Sequence, residues 1–352
     1  MLATSDTHVY PVVWKSDHLV VIDQRRLPTE YTAVSIRLCE DVVRAIRSRI
    51  VQGSSALGIA AAYGLYLGAR EIRTDDRTTF LERFEAICER FKQLRPDKEN
   101  LRWAVVRMLR EAQTTEGSVD EIQAHLLEAA QAIQTEDFQI CHAIGDQGLT
   151  ALPRDPIQLS LYTHCNHGAL ATSGYGTSLG VVRSAWREGR LARVYAGETR
   201  PNFQGMRLTA WECVQEGIPV TVVTDSMAAH CFQQGLVHAV LVGADRIAAN
   251  GDTVNKIGTY ALALAAKAHN IPFFVAAPLS TVDFSLESGQ ELAGVEGPAE
   301  AIFQIGDTRL APERASYYNP SSDVTPANLI TAILTERGAI APTQLATLTT
   351  QV

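Results

Sequence analysis

Two short alternating runs open the chain, at residues 10–14 and 19–22, with the polar Lys15, Ser16 and Asp17 between them. Alternation broken by a short polar turn predicts an antiparallel hairpin, so a small antiparallel sheet begins the molecule. From Asp41 to about Gly148 the apolar spacing becomes helical. It runs through Val42, Val43 and Ile46, an Ala-rich stretch at 59–69, then Phe80, Phe84, Ile87 and Phe91, then 103–108, then Leu126, Ala129, Ala130 and Ile133. After Pro156 the texture changes again. Apolar runs at 157–163, 193–196, 220–224, 239–242 and 273–276 alternate with helical patterns at 177–187, 208–216, 227–234 and 258–269. Repeated strand-helix-strand units predict a parallel sheet with right-handed crossovers. The expected fold is α/β: residues 1–140 form an N-terminal small antiparallel sheet plus a helical domain, and residues 141–352 a Rossmann-like catalytic domain. No internal repeat is evident, and the tail after Gly338 is the segment expected to fray.

Composition narrows the function classes. A chain of 352 residues, 46% hydrophobic, is long enough for two domains with a core each. A formal charge of −8 argues against a nucleic-acid partner, which calls for a basic face. A small anion needs only two or three local cations and stays open. No apolar run approaches the roughly 18 residues of a membrane span, and the start lacks a charged-then-apolar leader, so a cytoplasmic protein without membrane contact is expected. The six cysteines are scattered, with no CxxC pair, as expected of reduced thiols rather than a disulfide or zinc scaffold.

In open parallel sheets, ligands bind beyond the carboxyl ends of the strands, where loops converge and helix N-termini present free N–H groups. The densest polar clusters fall there: 163–167 (THCNH), 198–200 (ETR), 225–226 (DS) and 243–246 (GADR). These positions are expected to share one cleft. Asp245 directly follows an apolar strand, where lost hydration favours the neutral acid and suits it to donate a proton; a helix cap or a partner for Arg246 is the plainer alternative. Cys165 sits in a polar loop, where a cation or a helix N-terminus would favour thiolate, against the alternative of a small buried hydrophobe. His164, Cys165 and His167 are too close in sequence to supply three ligands to one ion, so no metal is expected. The run GYGTSLG at 174–180 has a dinucleotide-binding flavour but lies too far past its strand. Close approach of the backbone to a ligand, or capping of the next helix, accounts better for its glycines.

At these residues the sequence resembles the methylthioribose-1-phosphate isomerase family, related to ribose-1,5-bisphosphate isomerases and to regulatory subunits of an initiation-factor exchange complex. The blocks that carry the resemblance are THCNHGALATSGYGTSLG from Thr163, ETRPNFQGMRLTAWE from Glu198, VTDSMAAH from Val223, VGADRIAANGDTVNKIGTY from Val242 and NPSSDVTPANLIT from Asn319. The resemblance implies a methionine-salvage isomerase that opens a cyclic aldose 1-phosphate to its ketose 1-phosphate without a cofactor, and a homodimer. By position it implies Cys165 and Asp245 as the catalytic pair. Substrate contacts fall on Gln204, Asn255 and Lys256, and phosphate contacts on Gln52, Gly53, Ser54 and Arg95.

Some segments depart from the family pattern. VQGSSALG at 51–58 stands where VRGAPAIG is usual, so Gln52 replaces an arginine able to make a charge-assisted fork to phosphate. Asp97, Lys98, Glu99 and Arg102 stand where the family is small or apolar. His167 replaces an alanine, Gly197 an acidic residue, LAGVEG at 292–297 the segment IPIEER, and NPSSDVTP the segment NPAFDVTP. These changes leave two further readings beside the isomerase: action on a different sugar 1-phosphate, or a non-catalytic subunit that senses a sugar phosphate or nucleotide.

Overall fold

The computed structural model describes residues 9–95, 98–289 and 296–351. The chain divides into two compact units, one of residues 1–142 with 167–176, the other of residues 143–166 with 177–352.

The first unit opens with β1 (Val12–Lys15), β2 (His18–Ile22) and β3 (Ala33–Ile36), an antiparallel sheet in the order β1-β2-β3. Lys15 pairs with His18 across the turn, as the alternation predicts, with Ser16 at φ 46°. The third strand has too short a pattern to be read from sequence. Five helices follow: α1 (Cys39–Arg47), α2 (Ser54–Glu71), α3 (Arg77–Lys92), α4 (Glu99–Thr114) and α5 (Val119–Ala151). Their starts have visible causes. Asp76 caps α3 by accepting from the Thr79 N–H at 2.7 Å. Ahead of α5, Ser118 and Glu121 form a reciprocal capping box, Glu121 accepting from the Ser118 N–H at 2.7 Å and Ser118 Oγ from the Glu121 N–H at 3.3 Å. Helix α2 is buried almost all round, from Ser55 to Ala69, and its small residues let neighbours approach closely. A Cβ on Gly58 would lie 2.7 Å from the Asn100 carbonyl oxygen in α4. Phe80, Phe84, Phe91, Leu101, Val105 and Met108 complete this core.

The second unit alternates strand and helix: β4 (Leu159–Thr163), α6 (Ser178–Arg187), β5 (Leu191–Gly197), α7 (Ala210–Gln215), β6 (Val220–Val223), α8 (Ala228–Gln233) and β7 (Ala239–Val242). Then come β8 (Arg246–Ala248), β9 (Thr253–Lys256), α9 (Thr259–Ala268), β10 (Phe273–Ala276) and β11 (Val282–Asp283). The chain ends through α10 (Glu300–Phe303), β12 (Gln304–Ile305), β13 (Thr308–Arg309), β14 (Ser322–Thr325), β15 (Ala332–Thr335) and β16 (Gly338–Ile340). The main sheet has the order β16-β15-β10-β7-β4-β5-β6. All its neighbours are parallel except β15 and β16, so the Rossmann-like expectation holds. Strands β7 and β10 are buried throughout, as parallel strands covered on both faces must be.

Three details correct the sequence reading. Ile157 is 76% exposed, and the first strand starts at Leu159. The tail does not simply fray: β16 pairs with β15, and beyond it a 3-10 helix over Pro342–Gln351 buries Leu345. A second sheet, β11-β8-β9-β14, grows from the loop after β7, where sequence showed only a polar cluster. The replaced segment at 292–297 falls mostly on residues outside those described, and so does Asp97.

Candidate active site

Strand register sets the candidate residues side by side. Thr163, the last residue of β4, pairs with Leu241 of β7 on one side and with Ala196 of β5 on the other. Cys165 lies two residues beyond β4, Asp245 three beyond β7, and Thr199 two beyond β5. Adjacent strands run about 4.8 Å apart, so the thiol-bearing and carboxyl-bearing loops leave neighbouring parallel strands at their carboxyl ends. Asp225, two residues past β6, continues the row.

Hydrogen bonds tie these loops to the second sheet. The Asp245 N–H donates to the Val254 carbonyl at 2.8 Å, which anchors it on β9, the strand that carries Asn255 and Lys256. His164 Nε2 lies 2.9 Å from the Ile257 carbonyl. A carbonyl can only accept, so this ring nitrogen bears the proton. His164 is buried, and burial holds its pKa below the ordinary value against the opposing pull of Asp225 and the Ile257 carbonyl, so the ring is neutral near pH 7. Its Nδ1 faces Asp225 Oδ1 at 3.7 Å. Asp225 is used elsewhere too: it accepts from the Thr199 and Arg200 N–H groups at 2.9 and 2.7 Å.

The backbone at this edge is unusual. Cys165 has φ 65° and Thr199 φ 67°, a region that side chains other than glycine and asparagine seldom occupy. Cys165 is only 9% exposed. Gln204 begins the turn that leads into a single π-type turn over Gly205–Thr209. A Cβ on Gly205 would fall 1.8 Å from the Gly197 carbonyl oxygen, so only glycine lets these two loops meet.

Two of the predicted substrate contacts carry a buried acceptor with no hydrogen-bond partner among the described residues, Gln204 Oε1 and Asn255 Oδ1. Asn255 is fully buried, and its amide nitrogen donates to Thr259 Oγ1 at 3.1 Å. Orphaned buried acceptors cost about 1–3 kcal/mol each, a cost that a polyhydroxyl ligand would offset. Lys256 Nζ donates to the Ser321 carbonyl at 3.0 Å. Beside it, Asp323 accepts from the Gly258 and Tyr260 N–H groups at 2.7 and 3.2 Å. Burial pushes its carboxyl up to about 6, despite those two bonds and the Lys256 charge.

Cys165, Asp245, Gln204, Asn255 and Lys256 all belong to the second unit, the first three in loops or turns after main-sheet strands and the last two on β9. Gln52, Gly53, Ser54 and Arg95 belong to the first unit. There Gly53, at φ 93°, precedes the N-terminus of α2, and a Cβ on it would lie 2.2 Å from Ala171 Cα. Ser54 Oγ is a buried hydroxyl without a partner among the described residues, and Arg95 is half-buried. The glycines at 174 and 176 answer to their own surroundings: both have positive φ, and a Cβ on Gly176 would meet Gly168 Cα at 2.7 Å. Among the described residues no group of three or more His, Cys, Asp or Glu side chains is arranged to hold a metal ion.

Sequence reading placed Asp225 and Thr199 in polar clusters without giving them a role, and it missed Thr209 and Asp323. Thr209 had no signal, because it reads as an ordinary helix position and only the π-type turn sets it against the Cys165 loop. Asp323 had one in its NPSSDVTP block, which places a carboxylate in a strand paired with Asn255.

This architecture and this strand-edge arrangement define a family. The model described as the Initiation factor 2 subunit family matches residues 50–342, and the chain belongs to that family. More particularly, it is 61% identical to the methylthioribose-1-phosphate isomerase of Nostoc punctiforme over 98% of each chain. It is 57% identical to the protein of that name from Crocosphaera subtropica, over 97% of this chain and 99% of the relative. Among solved structures, the 5-methylthioribose 1-phosphate isomerase of Pyrococcus horikoshii superposes with a TM-score of 0.90 at 39% identity, covering 97% of this chain and 96% of that one. A protein from A. fulgidus named translation initiation factor eIF-2B, subunit delta, superposes at 0.83, also at 39% identity, over 96% and 97%.

Proposed function

We propose that this chain is an aldose-ketose isomerase that converts S-methyl-5-thioribose 1-phosphate to S-methyl-5-thioribulose 1-phosphate, a step of methionine salvage. The observation that carries the proposal is the relatives of 56–61% identity, nearly full length, named for this activity. Fold alone does not decide, since a neighbour with the same architecture bears a translation-factor name. Register supports a chemical role, because Cys165 and Asp245 leave adjacent strands at the edge where parallel sheets bind ligands.

The chemistry follows from the substrate. A sugar phosphorylated at C1 opens only if the ring oxygen takes a proton as its bond to C1 breaks, and Asp245 is the donor. The Cys165 thiolate then removes the C2 proton to give an enediol-type intermediate and returns it to C1. The Asp245 carboxylate recovers its proton from the C2 hydroxyl as the ketone forms, so both side chains end as they began. Gln204 and Asn255 orient hydroxyls through their orphaned acceptors, and Lys256 faces the phosphate. Gln52, Gly53, Ser54 and Arg95 keep their role in phosphate binding on the resemblance alone. The division at residues 140 and 141, a cytoplasmic location and a homodimer belong to the same proposal. No helix among the described residues is long and apolar enough to cross a membrane. Sedimentation equilibrium is expected to give twice the chain mass, and a monomer at all concentrations would refute the dimer.

The test is steady-state ketone formation by wild type, Cys165→Ala and Asp245→Asn. Each variant is expected to lose roughly 10²–10⁴-fold in kcat while remaining folded. Turnover within about three-fold of wild type in either variant would remove that residue from the mechanism.

A further inference from the structure

Cys165 holds a left-handed backbone at φ 65° with no local reason for it, since its side chain lacks the short amide or carboxylate that stabilises Asn and Asp there. Such a conformation is strained in a residue other than glycine and persists only where the surroundings impose it. The surroundings here are two buried threonines. Thr199 Oγ1 accepts the Cys165 N–H at 2.8 Å and donates to the Gly197 carbonyl at 3.0 Å. Thr209 Oγ1 donates to the Cys165 carbonyl at 2.7 Å. Both threonines are 0% exposed, so neither bond competes with water.

Each threonine is braced in turn, Thr199 by a carboxylate directly and Thr209 by an amide that a carboxylate holds. The Thr199 N–H rests on Asp225. On the other side, Asn166 Nδ2 donates to Thr209 Oγ1 at 3.2 Å and to Glu212 Oε1 at 2.9 Å. Glu212 is fully buried, and its second oxygen accepts from Arg183 Nη2 at 2.8 Å. Arg183 is fixed in turn by Glu216 at 2.5 Å. The braces therefore run from α6 and α7 on one side and from the β6 edge on the other, and they meet at one residue.

We propose that Thr199 and Thr209 are positioning residues: by clamping the N–H and carbonyl of Cys165 they impose its left-handed backbone and so set the direction in which the thiol emerges. The inference rests on the reading of Cys165 as catalytic and adds the groups that act through it. The backbone torsions fix the Cα–Cβ direction, and a misplacement of about 1 Å at a reacting group can cost on the order of 100-fold in rate. A serine at either position keeps both hydrogen bonds. A valine keeps the shape and removes them.

The test uses the full chain with Thr199→Val, Thr199→Ser, Thr209→Val and Thr209→Ser. It reads kcat and KM for the isomerisation and, separately, the rate at which iodoacetamide alkylates Cys165, followed on the Cys165 peptide by mass spectrometry. The valine variants are expected to lose about ten-fold or more in kcat with KM within about two-fold, and to change the alkylation rate, while the serine variants return both toward wild type. Valine variants that keep both rates within about two-fold overturn the proposal. So does a loss of turnover with the alkylation rate unchanged, because the clamp acts through the thiol. If a valine variant does not fold, melting temperatures of Cys165→Gly and Cys165→Ala replace it: glycine above alanine supports an imposed left-handed backbone, and alanine above glycine overturns it. Full turnover by Cys165→Ala would sink the catalytic reading instead, and the alkylation rates would still report on the clamp.

Discussion

Asp323, paired with Asn255 across β14 and β9, is a buried carboxyl beside Lys256. Its folded-state value of about 6 lies above the ordinary 3.8, so the folded protein binds this proton more tightly than the unfolded chain. The stability it contributes is fully present below pH 3.8 and is lost as pH rises through about 6. Thermal unfolding is expected to show wild type losing stability relative to Asp323→Asn as pH rises from 3.8 to about 6, with no further change above about pH 7; a difference that does not change with pH would contradict this. At the same scale some departures from the family pattern acquire reasons. At Gly197, which the sequence reading set against an acidic residue in the resembled family, a Cβ would lie 2.7 Å from the Tyr162 hydroxyl and 3.1 Å from Asp225 Oδ1. A second carboxylate would crowd one already engaged by two backbone N–H groups. Glu99 and Arg102, unusual at their positions, pair with each other at 3.1 Å. Nothing in the structure explains Gln52. Cys165 and Asp245 were legible because polar residues directly after an apolar strand are a local pattern. The threonine clamp was not, because a hydroxyl's partner lies in another element.

Elements differ in what holds them. Arg183 of α6 reaches Glu212 of α7 and Glu216 just beyond it, and all three side chains are at most 7% exposed. Removing one member of a buried network leaves uncompensated charge, so Arg183→Met is expected to cost about 3–5 kcal/mol in denaturant unfolding. The Arg90–Glu40 pair between α3 and α1 is half-exposed, and Arg90→Met is expected to cost less than about 1 kcal/mol. Equal losses would contradict the burial argument. The main-sheet strands through β10 were legible from their short apolar runs, most plainly β7 and β10, which are apolar and buried at every position. Strands β8, β9 and β14 were not: TVNK and SDVT are polar sequences whose pairing comes from one another rather than from a core face. The tail escaped for a related reason, since β16 is ordered by its pairing with β15 and, of the residues described beyond it, only a few are buried, Leu345 among them.

For the whole molecule, the parallel sheet places the chemistry and the loops select it. The order β7-β4-β5-β6 puts the loops of Asp245, Cys165, Thr199 and Asp225 in one row, and the sheet grown from the loop after β7 adds Asn255 and Lys256 to it. The alternating pattern showed that such an edge exists. It led to the expectation that the thiol and the carboxyl share one cleft, but it did not show strand order, which depends on long-range pairing, and so it did not show that their loops leave adjacent strands. The same fold carries relatives with a translation-factor name, so the activity has to be read from the reaction. The most direct measurement is carbon NMR of methylthioribose 1-phosphate incubated with the purified protein and no added cofactor. The anomeric C1 signal is expected to disappear as a ketone signal at C2 grows, with the phosphate still attached. An unchanged spectrum, or release of inorganic phosphate without a ketone, would contradict the account.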